Sequence, residues 1–325
     1  MIARAIYDGA RLATRCFRGD FGKVPKELDA AEVERLPGCG VELSALRWRG
    51  DGEPILLVHG VAGSAWMWAR LATVLRRDRP FDLAALDLRG HGESGLHQGS
   101  FTFEQAASDL VSVLDSLGWD RAHVVAHSFG GKVALCAAAD AADRFRSLVL
   151  ADPAPPRGLN AILRAFPGLI RAAFTRERMT YPDRESWERM GRAAAHLQHW
   201  DAADRRLWSG SFRRTDDGGY APRLPQEQLD DILFRLVPQD LTHLLPRITC
   251  PVLLLRPTIN LTFMPGELRQ FGPLPDLRRE TIWGEHVFPH TNPFDTARMI
   301  VRFIDSVSST GRWERVAQEA KPNAV

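Results

Sequence analysis

Short apolar runs, each closed by turn residues and separated by stretches of helical period, constrain this chain more than any other feature. Pro54–Val58, Asp82–Leu86, His123–Ala126, Ser147–Ala151, Val252–Leu255 and Glu280–Trp283 read as buried strands, with Pro54 placed where a strand tolerates proline, at its first position. Between them, Trp66–Leu75, Thr102–Leu117, Phe129–Ala139 and Pro293–Val307 are helical in period or composition. The helix near Thr102 has the Thr102-to-Gln105 spacing of a capping box and stops at Gly118. Strands that alternate with helices predict an α/β fold: a mostly parallel sheet covered by helices on both faces.

One stretch breaks the rhythm. From Ala154 to Leu245 there is no convincing strand, only aromatics at irregular helical spacing (Phe166, Phe174, Tyr181, Trp187, Trp200, Trp208, Phe212, Phe234). A helical insertion of that size between core strands reads as a cap over the C-terminal edge of the sheet. The organisation expected is an N-terminal helical extension over 1–40, a core over 41–153 and 246–308, a cap over 154–245 and a polar tail over 309–325.

Composition excludes several classes. With 45% hydrophobic residues the chain can bury a core, and a net charge of +2 lacks the concentrated basic stripe of a nucleic-acid partner. Cys16, Cys39, Cys136 and Cys250 are far apart and form no metal pattern, so no metal and no cofactor is expected, in a reducing, cytoplasmic setting. No apolar run approaches the ~20 residues of a membrane span. Residues 1–18 place Ile2, Ile6, Leu12 and Phe17 near one helical face with Arg4, Arg11, Arg15 and Arg18 largely elsewhere. A surface helix packed on the body fits that pattern, and contact with an anionic membrane surface is the second reading.

The strongest chemical signal is Val124-Val125-Ala126-His127-Ser128-Phe129-Gly130-Gly131: an apolar strand, a turn of small residues around a serine, then a helix. That is the strand–turn–helix context of a nucleophile elbow. The Phe129 N–H opens the helix, where a developing oxyanion is stabilised. The competing reading is a serine that merely caps the helix. Upstream, a strand ends in His59-Gly60-Val61-Ala62-Gly63, where the Val61 N–H would be a second oxyanion donor and His59 is structural. Downstream, only Gly284 and Glu285 separate His286 from its strand, which places an imidazole at the sheet edge as a base for Ser128; His290 is its competitor. Gly90-His91-Gly92-Glu93-Ser94-Gly95 matches a dinucleotide-binding fingerprint literally, but Leu96–Ser100 delay the helix that such a site needs.

From about Val41 to Val307 the chain resembles the α/β-hydrolase superfamily. The elbow, the His-Gly loop, the late histidine and Asp87-Leu88-Arg89-Gly90-His91-Gly92-Glu93-Ser94 carry the resemblance, the last being similar to a loop of the esterase, lactonase and epoxide-hydrolase-like branch. It implies an eight-stranded core with a helical cap inserted after the sixth strand. It also implies an acidic third member of the site. The family most often carries Asp after the seventh strand, where this chain has Asn260; some members place it after the sixth, where Asp152 stands, and Asp152 preserves the order Ser128, acid, His286. Glu267 is a remote third choice.

These residues predict a serine hydrolase that cleaves an ester, lactone or thioester of a small apolar molecule through an acyl-enzyme. Trp187, Trp200, Trp208 and His127 are candidate substrate contacts, although the tryptophans can equally form the cap's own core. The alternatives are elimination, C–C cleavage or acyl transfer at the same site, or a ligand-binding protein without catalysis.

Overall fold

The computed structural model describes residues 28–309 apart from 78, 97–98, 158–167, 169–173, 195, 198 and 260–266. The expected N-terminal helix, Asn260 and the tail beyond Ser309 lie outside the described residues, as does the side chain of Glu267.

The sheet is built from β1 (Glu32–Pro37), β2 (Glu42–Trp48), β3 (Pro54–Val58), β4 (Asp82–Asp87), β5 (Ala122–His127), β6 (Phe145–Ala151), β9 (Val252–Pro257) and β10 (Leu277–Ile282). Its eight strands run in the order β1-β2-β4-β3-β5-β6-β9-β10. The two pairings of β2, with β1 and with β4, are antiparallel. The others are parallel. Side chains alternate across the sheet, so each strand feeds two cores. Leu56, Val58, Val124, Ala126, Leu148 and Leu150 pack on α2 (Phe103–Ser116) and α3 (Phe129–Asp140). Ile55, Leu57, Val125, Val149 and Leu253 pack on α1 (Ala69–Leu75) and α8 (Pro293–Ser309). Burial on both faces is why these strands are continuous apolar runs.

Two expectations need correction. Glu32–Pro37, assigned to an N-terminal helical extension, is an edge strand. It pairs with β2, whose own signal is broken by Ser44 and Arg47. Arg47 is buried because Asp82 (2.8 Å) and Glu34 (3.4 Å) pair with it and its guanidinium lies 4.9 Å from the centre of the Trp119 ring. The stretch read as strandless holds a small hairpin, β7 (Phe212–Arg214) and β8 (Tyr220–Pro222). These strands are three residues each, too short for a period-2 pattern to register.

The rest of the described chain between β6 and β9 is mainly helical, including α4 (Arg184–Arg192), α5 (Ala202–Gly210) and α6 (Gln226–Asp231). Asp183 and Asp201 cap α4 and α5 by accepting from the N–H groups of Ser186 (2.7 Å) and Asp204 (3.0 Å). The insertion is fastened to the core by buried charge. Arg70 of α1 meets Asp201 at 2.6 Å and Asp204 at 2.9 Å, and Asp204 also contacts His290 at 2.8 Å, on the short helix α7 (Phe288–Thr291). On the other face, the ammonium of Lys132 in α3 donates to the carbonyls of Val237 and Gln239.

Candidate active site

The C-terminal ends of β3, β5, β6 and β10 bring residues 59–63, Ser128, Asp152 and His286 to one edge of the sheet. At the end of β5 the backbone bends sharply: Ser128 has φ 52° and ψ −120°, a region an L-residue rarely occupies. Its neighbours leave no room for side chains. A Cβ on Gly130 would stand 2.3 Å from the His59 carbonyl oxygen, and one on Gly131 2.7 Å from Pro153 Cβ. The Ser128 hydroxyl makes no cap to α3 and lies 3.1 Å from His286 Nε2. The capping reading therefore fails.

His286 Nδ1 lies 2.6 Å from Asp152 Oδ2. A carboxylate accepts, so the proton sits on Nδ1 and the Nε2 lone pair faces the serine hydroxyl. Asp152 is fully buried at a positive φ of 42°, and its own N–H extends the β6–β9 ladder to the Leu255 carbonyl at 2.9 Å. Burial opposes charge on the His286 ring, but the hydrogen bond and charge of Asp152, with Glu285 adding, outweigh it and raise its pKa above the ordinary 6.5. The ring remains 39% exposed, open on one side to an incoming molecule.

Neighbouring groups hold these parts in place. His59 is buried, contacts the Gly60 carbonyl through Nδ1 at 2.6 Å and accepts from the Leu88 N–H at 3.0 Å. Burial, with His91 nearby, lowers its pKa to about 3, so it stays neutral and structural. Gly60 is pressed against Ser128: a Cβ there would lie 2.9 Å from the serine Cβ. Val61 thus follows directly on the residue that touches the hydroxyl-bearing carbon, and the Phe129 N–H opens α3, where first-turn donors have no intrahelical acceptor. Glu285, which the sequence reading did not single out, accepts from the Val287 N–H (2.8 Å) and the Thr291 hydroxyl (3.0 Å) and so fixes the turn after His286.

Other candidates fall elsewhere. His290 is enclosed with Arg70 and Asp204. Trp187, Trp200 and Trp208 pack on one another, with ring centroids 6.2 Å apart for the Trp187 pairs, and take Tyr181, Phe212 and Tyr220 into the same aromatic cluster. They form the insertion's own core, the second of the two roles open to them. His127 is buried beside His286. The dinucleotide-like loop is scaffold: Asp87 accepts from the N–H groups of Ala65 (2.6 Å) and Glu93 (2.9 Å), and Arg89 forks onto Asp109 at 2.7 and 2.8 Å. Among the described residues no group of three His, Cys, Asp or Glu could hold a metal ion, and no helix is long and apolar enough to cross a membrane.

The family model described as the alpha/beta hydrolase fold matches residues 53–282. The chain belongs to this family. Among curated relatives, the dihydrolipoyllysine-residue acetyltransferase component of the acetoin cleaving system of Cupriavidus necator is 35% identical over 39% of this chain and 34% of its own length. The N-formylmaleamate deformylase of Pseudomonas putida is 34% identical over 35% of this chain and 42% of its own. The chain therefore spans well under half the length of either. The solved E-2-(acetamidomethylene)succinate hydrolase superposes on 85% of this chain and 100% of its own with a TM-score of 0.72 at 23% identity, a likeness of fold.

Proposed function

We propose that this chain is a serine hydrolase that opens a carboxylic ester, lactone or thioester through an acyl-enzyme. The observation that carries this reading is the path from the Ser128 hydroxyl to His286 Nε2 at 3.1 Å and from His286 Nδ1 to Asp152 at 2.6 Å. The deformylase and esterase names of curated relatives support the hydrolytic part of this reading.

Ser128 Oγ attacks the acyl carbon while its proton passes to His286 Nε2. The resulting imidazolium is stabilised by Asp152, and the oxyanion by the N–H groups of Val61 and Phe129. Collapse breaks the bond to the alcohol or thiol, which leaves with the proton from His286. Water then repeats the sequence: His286 takes its proton, the hydroxide attacks the acyl carbon, and Ser128 recovers its hydrogen as the acid departs. The buried tryptophans no longer argue for an apolar substrate, so the proposal names the acyl bond alone.

A second reading rests on the acetyltransferase relative: an alcohol or thiol in place of water would turn the same acyl-enzyme to transfer. The test is a p-nitrophenyl acetate burst with fluorophosphonate labelling, with and without an added acceptor alcohol. Ser128→Ala is expected to lose labelling and on the order of 10⁶-fold in kcat while keeping its circular dichroism spectrum. Turnover that survives in Ser128→Ala rules the proposal out.

A further inference from the structure

Resting on the reading of Ser128 and His286 as nucleophile and base, we propose that His127 is a positioning residue that sets where the His286 imidazole stands. His127 is the last residue of β5 and is bonded covalently to Ser128, yet its ring turns away from solvent, 4% exposed. Its Nε2 lies 2.8 Å from the backbone carbonyl of His286, 159 residues further along the chain. A carbonyl only accepts, so Nε2 carries the proton and Nδ1 is left as a lone pair. Among the described residues Nδ1 has no hydrogen-bond partner, and it lies 3.0 Å from where a Cβ on Gly60 would stand. The two imidazoles face each other with centroids 4.5 Å apart and planes at 48°. Burial holds the pKa of His127 well below 6.5, so it is a permanent neutral donor beside the ring that titrates.

Geometry gives this contact a purpose beyond filling space. Ser128 is joined to His127 by a peptide bond, His127 to the His286 backbone by a hydrogen bond, and the His286 ring returns to Ser128 Oγ. The circuit is closed. It pins the loop after β10 to the strand that carries the hydroxyl, so the gap between Oγ and Nε2 does not depend on the loop alone. Asp152 fixes the rotation of the ring about its bonds; His127 fixes the point from which it rotates. Loss of this anchor lets the base wander, and about 1 Å of misplacement can cost up to ~10²-fold in rate.

The experiment uses the full chain and fluorophosphonate inactivation, which reads the nucleophile without knowledge of the substrate. As Oγ bonds to phosphorus, fluoride leaves and the serine proton passes to His286. His127→Phe keeps a ring of similar size and removes the donor. It is expected to lower the maximal inactivation rate ~10–100-fold with little change in the half-saturating concentration. His127→Gln, whose amide N–H reaches the Nε2 position, is expected to restore most of the loss, and His127→Asn, whose amide reaches only the Nδ1 position, is not. The low-field proton resonance of His286 Nδ1 should broaden in His127→Phe and return in His127→Gln. If His127→Phe does not fold, the contrast between Gln and Asn decides. Normal inactivation in His127→Phe, or equal rates in Gln and Asn, overturns the proposal. Ser128→Ala run alongside separates the two readings: if it is dead while His127→Phe is normal, only the positioning role falls. If Ser128→Ala still turns over, both fall.

Discussion

Ser128 occupies a backbone conformation that costs an L-residue ~1–3 kcal/mol, and it is held there by hydrogen bonds on both sides. Its N–H donates to the Ala151 carbonyl at 3.2 Å, and its carbonyl accepts from Gly131 (3.0 Å) and Ala154 (2.9 Å). The strain lifts the hydroxyl out of the strand toward His286. Asp152→Asn changes little in volume but replaces an acceptor-only group, and kcat is expected to fall by about 10⁴ with the fold retained. The pH profile gives an independent check. In the proposed mechanism His286 acts as a base only when neutral, and its pKa is raised above 6.5, so kcat/KM should climb with pH through an apparent pKa above that value. In Asp152→Asn the opposing effect of burial remains without the carboxylate, and the limb should move to lower pH. The sign for stability is opposite: a raised folded-state pKa favours the folded chain below pH 6.5 and loses that effect as pH rises through it. Ser128 was legible because it ends an apolar strand, and His286 because its place in the chain order is restrictive. The strand before His286, read as buried over Glu280–Trp283, is instead the largely exposed edge strand β10, with Trp283 outside it. Asp152 was legible only through that order. The positioning contacts of His127 and Glu285 were not, because a hydrogen bond across 159 residues leaves no local pattern.

Elements were read best where burial on both faces made the pattern plain. Strands β3 to β6 and helices α2, α3 and α8 stand where the apolar runs put them, within a few residues. β1 and β2 were lost because an edge strand is exposed and because Arg47, a buried charge paired with Asp82 and Glu34, looks like a surface residue in one dimension. The hand-over from β5 to α3 leaves no room for added side chains. Gly130→Ala would drive a methyl into the His59 carbonyl, 2.3 Å from the ideal Cβ position, and neither backbone can yield cheaply. Overpacking of this kind costs about 1–3 kcal/mol. Urea unfolding should register that loss, and fluorophosphonate labelling should slow as well, because the displaced His59 carbonyl precedes the Gly60–Val61 turn. Stability lost without a change in labelling would show the elbow and that turn to be independent.

At the scale of the molecule, the mainly helical character of the chain between β6 and β9 was legible from the missing strand pattern, whereas its attachment to the sheet's neighbours was not. Arg70 reads as an ordinary helix residue until Asp201 and Asp204 are brought to it from 131 and 134 positions away. Asp204→Ala leaves the Arg70 guanidinium buried with a weakened set of partners, and a loss of about 3–5 kcal/mol is expected in chemical denaturation. Asp201, 36% exposed, is expected to cost much less when changed to Ala. Equal losses for the two would show that solvent reaches the whole network. Asp152 stands at the point where the chain leaves the sheet for the insertion, and Ala154, two residues on, still donates to the Ser128 carbonyl. The route out of the core therefore runs through the Ser128–His286–Asp152 cluster itself. Anyone grafting a different insertion onto this scaffold should cut after Ala154 and not at the strand's end, since a seam at Ala151 would exchange the carboxylate that meets His286 along with the graft.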